Sequence, residues 1–281
     1  MTAILLGITA SLSWGFADFL GGIRTKALTL ALVLLVSQFT GLAAAAILVA
    51  VGGFEAPTFE ELLPAMGAGV AQLIAIGALY RALAIGTMSV ISPVSAAGAA
   101  VLPLIVGIST GDQLAALQVA GMMAAFAGII LATRAPESPE GPSSSREALL
   151  LSAVAATGFG LFFIGLDTSV EDAGPYWSLL AVRVAACTVL AIGLIAMRPK
   201  LEFQRAALPS LALIGLLDVG ANACIAIATD TGLLSVVGVL ASLYPVATVV
   251  LARALLHERL VRIQAVGVAV ALLGIALIAA G

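Results

Sequence analysis

The sequence predicts an all-α membrane protein of ten transmembrane helices, arranged as two inverted five-helix repeats around a central cavity. Composition is the first ground. Of 281 residues, 62% are hydrophobic and only 10% charged, and the mean hydropathy is +1.20. A soluble domain carries about a quarter charged residues. Internal repetition is the second. When the first half is shifted by 146 residues (232 − 86), Gly86 falls on Gly232, Ser89 on Ser235 and Asp112 on Glu258. Leu114 then falls on Leu260, Gln118 on Gln264, Gly121 on Gly267 and Gly128 on Gly274, with no gap. Such duplication is the mark of a membrane unit present in two copies. The third ground is where the charges sit.

A spanning helix needs roughly 20 apolar residues. Ten such runs can be drawn, at about 4–22, 28–51, 62–84, 88–108, 114–133, 148–168, 175–197, 207–228, 233–255 and 262–280. The first opens without a basic leader region, so it is expected to be a span and not a cleaved signal. Connections are short and marked by turn formers such as Gly52-Gly53 and Gly111-Asp112. One stretch differs from all others. Residues 134–147, RAPESPEGPSSSRE, hold three prolines, four serines and five charged side chains. They can bury no core and read as an exposed, semi-stiff linker between a first repeat, 1–133, and a second, 148–281.

Of the 12 Lys and Arg residues, 11 lie in or beside odd-numbered connections: Arg24, Lys26, Arg81, Arg134, Arg146, Arg198, Lys200, Arg205, Arg253, Arg259 and Arg262. Even-numbered connections carry acids only, among them Glu55, Glu60, Glu61, Glu171 and Asp172. Basic loops stay cytoplasmic, which places the linker inside and both termini outside. A five-span unit inverts its copy, and the basic loops have moved from following the first and third helices of one half to following the second and fourth of the other.

Charges at membrane depth are costly and mark function. Asp218, in LIGLLDVGAN, lies mid-span in the eighth helix and reads as the one acid at that depth. Its repeat mate is Gln72, and Asn222 follows one turn later on the same face. These three are candidates for a midplane site binding a coupling proton or a cationic substrate group. The plain alternative is a polar contact that holds helices together. Ser89 and Ser92 on the fourth span, with Ser235 and Ser242 on the ninth, make stripes of small hydroxyl residues. Such stripes suit either a ligand wall or close packing. Pro93 and Pro245 each free a carbonyl inside a span and are candidate gating bends. Trp14 and Tyr244 are candidate vestibule aromatics, whereas Tyr80 reads better as an interfacial anchor. Asp18 with Arg81, and Asp167 with Arg183, are expected structural ion pairs. Gly121 with Gly128, and Gly267 with Gly274, are spaced two turns apart for close packing, either within the chain or across a homodimer.

Several function classes are excluded by what the sequence lacks. A net charge of −3 gives no basic footprint for nucleic acid. Cys187 and Cys224 sit in apolar runs and read as small core residues, and His257 is the single His, so no metal site and no cofactor is expected. No Gly-rich Lys-Ser/Thr loop points to ATP. An intramembrane enzyme would need a second acid facing Asp218 or a Ser/His dyad, and neither is visible in the sequence.

Further motifs are Ser13-Trp14-Gly15 in the first span, Tyr80-Arg81-Ala82-Leu83 closing the third, and SLYPVATVVLARALLHERL (Ser242 to Leu260) followed by Gln264 and Gly267. With these the chain resembles the drug/metabolite transporter superfamily, in particular its members with two EamA-type repeats. Departures are Ala99 in place of the first repeat's Pro, Asp112 in place of its Glu, and Phe159 in place of a Trp. The resemblance implies a ten-helix fold with a cavity lined chiefly by the third, fourth, eighth and ninth helices. The function expected is secondary transport, as an exporter, of a small metabolite such as an amino acid, amine or drug. The solute would cross the plasma membrane by alternating access, with Asp218 as the proton-coupling group. The alternatives are a facilitative or uptake carrier for a sugar-like neutral metabolite, or a scaffold subunit that moves no solute. Expected partners are the bilayer and the small-molecule substrate.

Overall fold

The computed structural model describes residues 2–110, 115–133, 146–201, 203–231, 244–256 and 261–280. All regular structure among them is helical. The helices are α1 (Thr2–Ala27), α2 (Leu30–Gly52), α3 (Phe59–Ile85), α4 (Met88–Thr110) and α5 (Ala116–Thr133) in the first half. The second half holds α6 (Arg146–Ala173), α7 (Pro175–Met197), α8 (Leu208–Thr231), α9 (Tyr244–Leu255) and α10 (Arg262–Ala280). A 3-10 turn at Arg205–Ala207 leads into α8. Five segments among the described residues are long and apolar enough to cross a membrane: Leu30–Gly52, Phe59–Ile85, Arg146–Ala173, Pro175–Met197 and Arg205–Ile225.

Several helices outrun their apolar stretches. α1 continues through Arg24 and Lys26, and α6 runs from Arg146 to Ala173, taking the last two residues expected in the linker. Hydropathy marks what hydrocarbon requires, but backbone hydrogen bonding continues as far as caps and glycines allow. Gly53 and Gly174 supply such stops, at φ of 63° and 72°, which a Cβ would disfavour. α3 starts on a capping box, in which the Glu61 carboxylate accepts the Thr58 N–H at 2.8 Å. Glu61→Ala is expected to lower stability by about 1 kcal/mol, read as a shift in thermal unfolding of the purified protein; no shift would show that the box is not formed.

Helix pairing follows a pattern. α3 packs on α6 as α1 packs on α8; α4 on α6 as α9 on α1; α3 on α7 as α2 on α8. α2 with α7, α4 with α9, and α5 with α10 complete the pairings between the two halves. Exchanging the halves turns each of these pairings between halves into another that is present among the described residues. Glycines make several of these crossings close. A Cβ on Gly69 of α3 would run into the Val182 carbonyl of α7, and one on Gly215 of α8 into the Ser37 carbonyl of α2. A Cβ on Gly15 of α1 would meet the Tyr244 carbonyl at 2.7 Å, and one on Gly160 of α6 the Ala99 carbonyl at 3.2 Å. The first pair of crossings links positions that correspond between the halves (69 + 146 = 215, 37 + 145 = 182), and the second does so to within one residue. In lipid, where apolar side chains gain nothing by leaving the solvent, such contact between backbones is the main adhesive.

The main core cluster gathers Phe19, Leu32, Leu79, Leu83, Met88, Ile91, Leu211 and Ile214 from five helices. Large apolar side chains such as Ile47, Ile195 and Met197 face outward. Gly121, Gly128, Gly267 and Gly274 are all buried within the chain, where α5 and α10 lie along each other. Packing within the chain is the alternative that buries them here.

Candidate functional site

Arg183, nine residues into α7, is 1% exposed, the largest of the fully buried side chains. Three local features bring it there. Gly69 lets α3 press against the Val182 carbonyl next to it. Gly41 of α2 keeps Val219 of α8 close, since a Cβ there would sit 3.1 Å from Val219 Cγ2. Gly215 draws α8 onto α2 one turn before Asp218. The guanidinium therefore emerges between α2 and α8.

Its partners come from both halves. Arg183 Nη1 donates to Gln38 Oε1 at 2.8 Å, and Nη2 pairs with Asp218 Oδ2. The other carboxylate oxygen of Asp218 accepts from Trp14 Nε1 at 3.1 Å and from Asn222 Nδ2 at 3.3 Å. Asn222 Nδ2 also donates to the Asp218 carbonyl at 2.7 Å. Four helices thus meet in one network: α1 through Trp14, α2 through Gln38, α7 through Arg183 and α8 through Asp218 and Asn222. A buried charge is tolerable only when it is paired and its remaining lone pairs are met. Asp218 meets both conditions.

Aromatic rings close one side. Trp14 makes edge contacts with Tyr244 at 6.2 Å and with Phe163 at 6.3 Å between centroids. Gly15 and Thr248 fix this wall, for the Thr248 hydroxyl donates to the Gly15 carbonyl at 3.2 Å. Gln72, the repeat mate of Asp218, is 2% exposed, and its Oε1 has no hydrogen-bond partner among the described residues. The hydroxyls of Ser92 and Ser95 on α4 are likewise buried without one. A surface cavity of about 270 Å³, lined by Lys26, Ala27, Leu28, Thr29 and Gln204, lies about three turns beyond Trp14 along α1 and takes no part.

Several expected placements change. Arg183 is paired with Asp218, while Asp167 is exposed on α6. Arg81, half exposed, stands 3.6 Å from Glu147 rather than beside Asp18. Asp18 is buried instead, 9% exposed, and lies within electrostatic reach of Asp218. Asp218 is therefore not the one acid in the interior. Tyr80 is no interfacial anchor: it is 2% exposed, and its ring fills the space above Gly21 of α1. The cause is the same throughout. Position along a span gives depth, but the helix face that looks inward is decided by packing. Pro93 is buried near the start of α4, and Pro245 is the second residue of α9 as described. Ser235 and Ser242 lie outside the described residues, as do Asp112 and His257, and only the backbone of Ser89 is described. Gln38 was not singled out from the sequence. An amide in the middle of LALVLLVSQFTG was the available signal.

Residues 146–280 match the EamA-like transporter family. Through this half the chain belongs to the EamA-like transporter family. One solved crystal structure covers 98% of this chain and 95% of its own, with a TM-score of 0.72 and 18% identity, a likeness that shows the fold alone. No curated protein matches. EamA-like proteins are membrane transporters of the drug/metabolite type, and this chain is a multi-pass membrane protein. The EamA-like half supplies α6 to α10. The Arg183–Asp218 pair therefore lies in the matched half and reaches across to Trp14 and Gln38 in the other.

Proposed function

We propose that the chain is a secondary transporter of the plasma membrane that exports a small metabolite by alternating access, with its two halves acting as inverted five-helix repeats. The linker faces the cytoplasm and both termini face outward. The observation that carries this proposal is the hydrogen bond between Gln38 and Arg183. These two positions correspond between the halves when Gly15 is laid on Gly160 (160 − 15 = 145). A contact between corresponding positions lies on the axis that exchanges the repeats, and repeat interfaces at mid-membrane are where carriers hold their cargo. The matching set of helix pairings and glycine crossings supports the same axis.

The network gives alternating access a concrete element. Arg183 is shared between α2 and α8, so a change in charge at Asp218 alters which helix holds it. A proton arriving on Asp218 removes the ion pair and leaves Gln38 as the remaining partner. The corresponding interaction in the other half joins Gln38 with Gln72, whose carbonyl oxygen waits unpaired. An opposite-facing state reached by exchanging the repeats' conformations would satisfy Gln72 from Gln38 and separate Arg183 from Asp218. Protonation thereby becomes linked to the exchange of states.

The test is solute flux in proteoliposomes under an imposed pH gradient. Asp218→Asn is expected to lower proton-driven flux by at least about tenfold, since a coupling of that size is ordinary for a linked site. Full flux that still follows the pH gradient would overturn the role of Asp218. Purified protein that moves no solute across a broad panel, while remaining folded, would leave the scaffold alternative standing.

A further inference from the structure

Asp18 is a second carboxylate in the interior, and nothing in the network uses it. Its side chain is 91% buried by the 9% exposure (100 − 9), and among the described residues it has neither a hydrogen-bond donor nor an ion-pair partner. Arg183 is already committed to Asp218 and Gln38. The charge acting on Asp18 is that of Asp218, which is of the same sign. Trp14, Asp18 and Gly21 lie at i, i+4 and i+7, on one face of α1. Trp14 stands above with Tyr244 at its edge, and the Tyr80 ring covers Gly21 below. Both tyrosines are within electrostatic reach of Asp18. An unpaired carboxylate between aromatic rings is what a bound organic cation requires: a counter-charge, and π faces that attract it once it has shed water.

We propose that Asp18 is the counter-ion of a substrate site for an organic monocation, an ammonium group with an apolar body, seated between Trp14, Tyr80 and Tyr244. Arg183 matches Asp218, which leaves Asp18 without a counter-charge among the described residues, and a bound ammonium would supply it. A bare metal ion fits less well, because it would need several oxygen ligands and, among the described residues, no second carboxylate is placed against Asp18 free of a partner, Asp218 being held by Arg183. A proton would neutralise Asp18 too, but the resulting acid would still lack an acceptor for its O–H. The proposal rests on the transporter reading for its biological consequence, since the ammonium would be the cargo. The binding site itself does not depend on transport.

Titration calorimetry on the purified full-length chain tests it, with 2-phenylethylammonium as probe and 2-phenylethanol as its neutral counterpart. The wild type is expected to favour the ammonium by at least about tenfold, as a charged hydrogen bond and one cation–π contact together allow. Asp18→Asn is expected to reduce the preference to within about twofold, and Asp18→Glu to retain most of it. Equal affinities in the wild type, no binding of the ammonium at all, or a preference that survives in a folded Asp18→Asn protein would each overturn the proposal. The wild-type comparison needs no variant, so misfolding of one cannot leave the matter open. Flux in proteoliposomes separates the two ideas. Ammonium preference without flux of any solute keeps this site and removes transport. Flux of a neutral solute without ammonium preference does the opposite.

Discussion

Arg183→Met is expected to lower the unfolding free energy by about 3–5 kcal/mol, the usual loss when one member of a buried ion pair is removed. Asp218, 8% exposed, would keep its Trp14 and Asn222 donors but lose its counter-charge, and Gln38 Oε1 would lose the donor it has. Asp218→Leu should cost a similar amount for the converse reason, since Arg183 is 1% exposed with nowhere to snorkel. The informative protein is the double variant. Arg183→Met with Asp218→Leu removes both charges together and replaces them with side chains of comparable bulk. It is expected to return to within about 1–2 kcal/mol of the parent, because desolvation of the pair consumes most of what their attraction contributes. A double-mutant cycle from denaturant unfolding in detergent measures the coupling directly. Additive losses, with the double variant no better than the sum of the singles, would mean that the two side chains do not share a site. The same double variant should be folded and inactive in flux, which separates the pair's part in transport from its part in stability.

Gly69→Ala and Gly215→Ala are expected to destabilise by about 1–3 kcal/mol each, and the pair together by roughly the sum. At both positions the new methyl would run into a backbone carbonyl, Val182 on α7 and Ser37 on α2. A carbonyl in a helix cannot turn aside as a side chain can, so the whole crossing must open. Gly67 and Gly220 are built-in controls on the same two helices, for nothing lies within 4 Å of where their Cβ would be. Gly67→Ala and Gly220→Ala are expected to be neutral or to stabilise by up to about 1 kcal/mol, from helix propensity alone. Thermal unfolding of the four proteins side by side reads the contrast. Equal effects at all four positions would show that the α3–α7 and α8–α2 crossings are not close.

Much of the fold was legible because hydrocarbon imposes one simple rule on a long stretch of chain. Every span must be apolar and helical, so a running count of apolar residues finds α2, α3 and α7 almost to their ends. Polar ends were harder to read. Arg24, Lys26, Arg146 and Glu147 belong to helices that continue past the apolar part, where caps decide the ends and hydropathy is silent. For the site, depth was readable and direction was not. Asp218 stands out as an acid in the middle of LIGLLDVGAN, and Asn222 follows by helical spacing. Arg183 was assigned to Asp167 by depth alone, and Asp18 to Arg81 by closeness to the span end. Both assignments failed because a helix turns 100° per residue, and a partner at the right depth on the wrong face is out of reach.

From the sequence alone came an all-helical membrane chain, a duplication, the gathering of its basic residues at alternate connections, and a costly acid at half depth that had to find company. These follow from local composition, since the bilayer tests each segment separately. Which company Asp218 found was settled only by tertiary structure. Glycines at 69 and 215 let backbones approach until Arg183 reached Asp218 and Gln38 at once, and Asp18 of α1 and Tyr80 of α3 turned inward. Side-chain facing depends on how helices cross, and crossings are set by pairs of residues far apart in the chain, which no reading along one strand of sequence can sum.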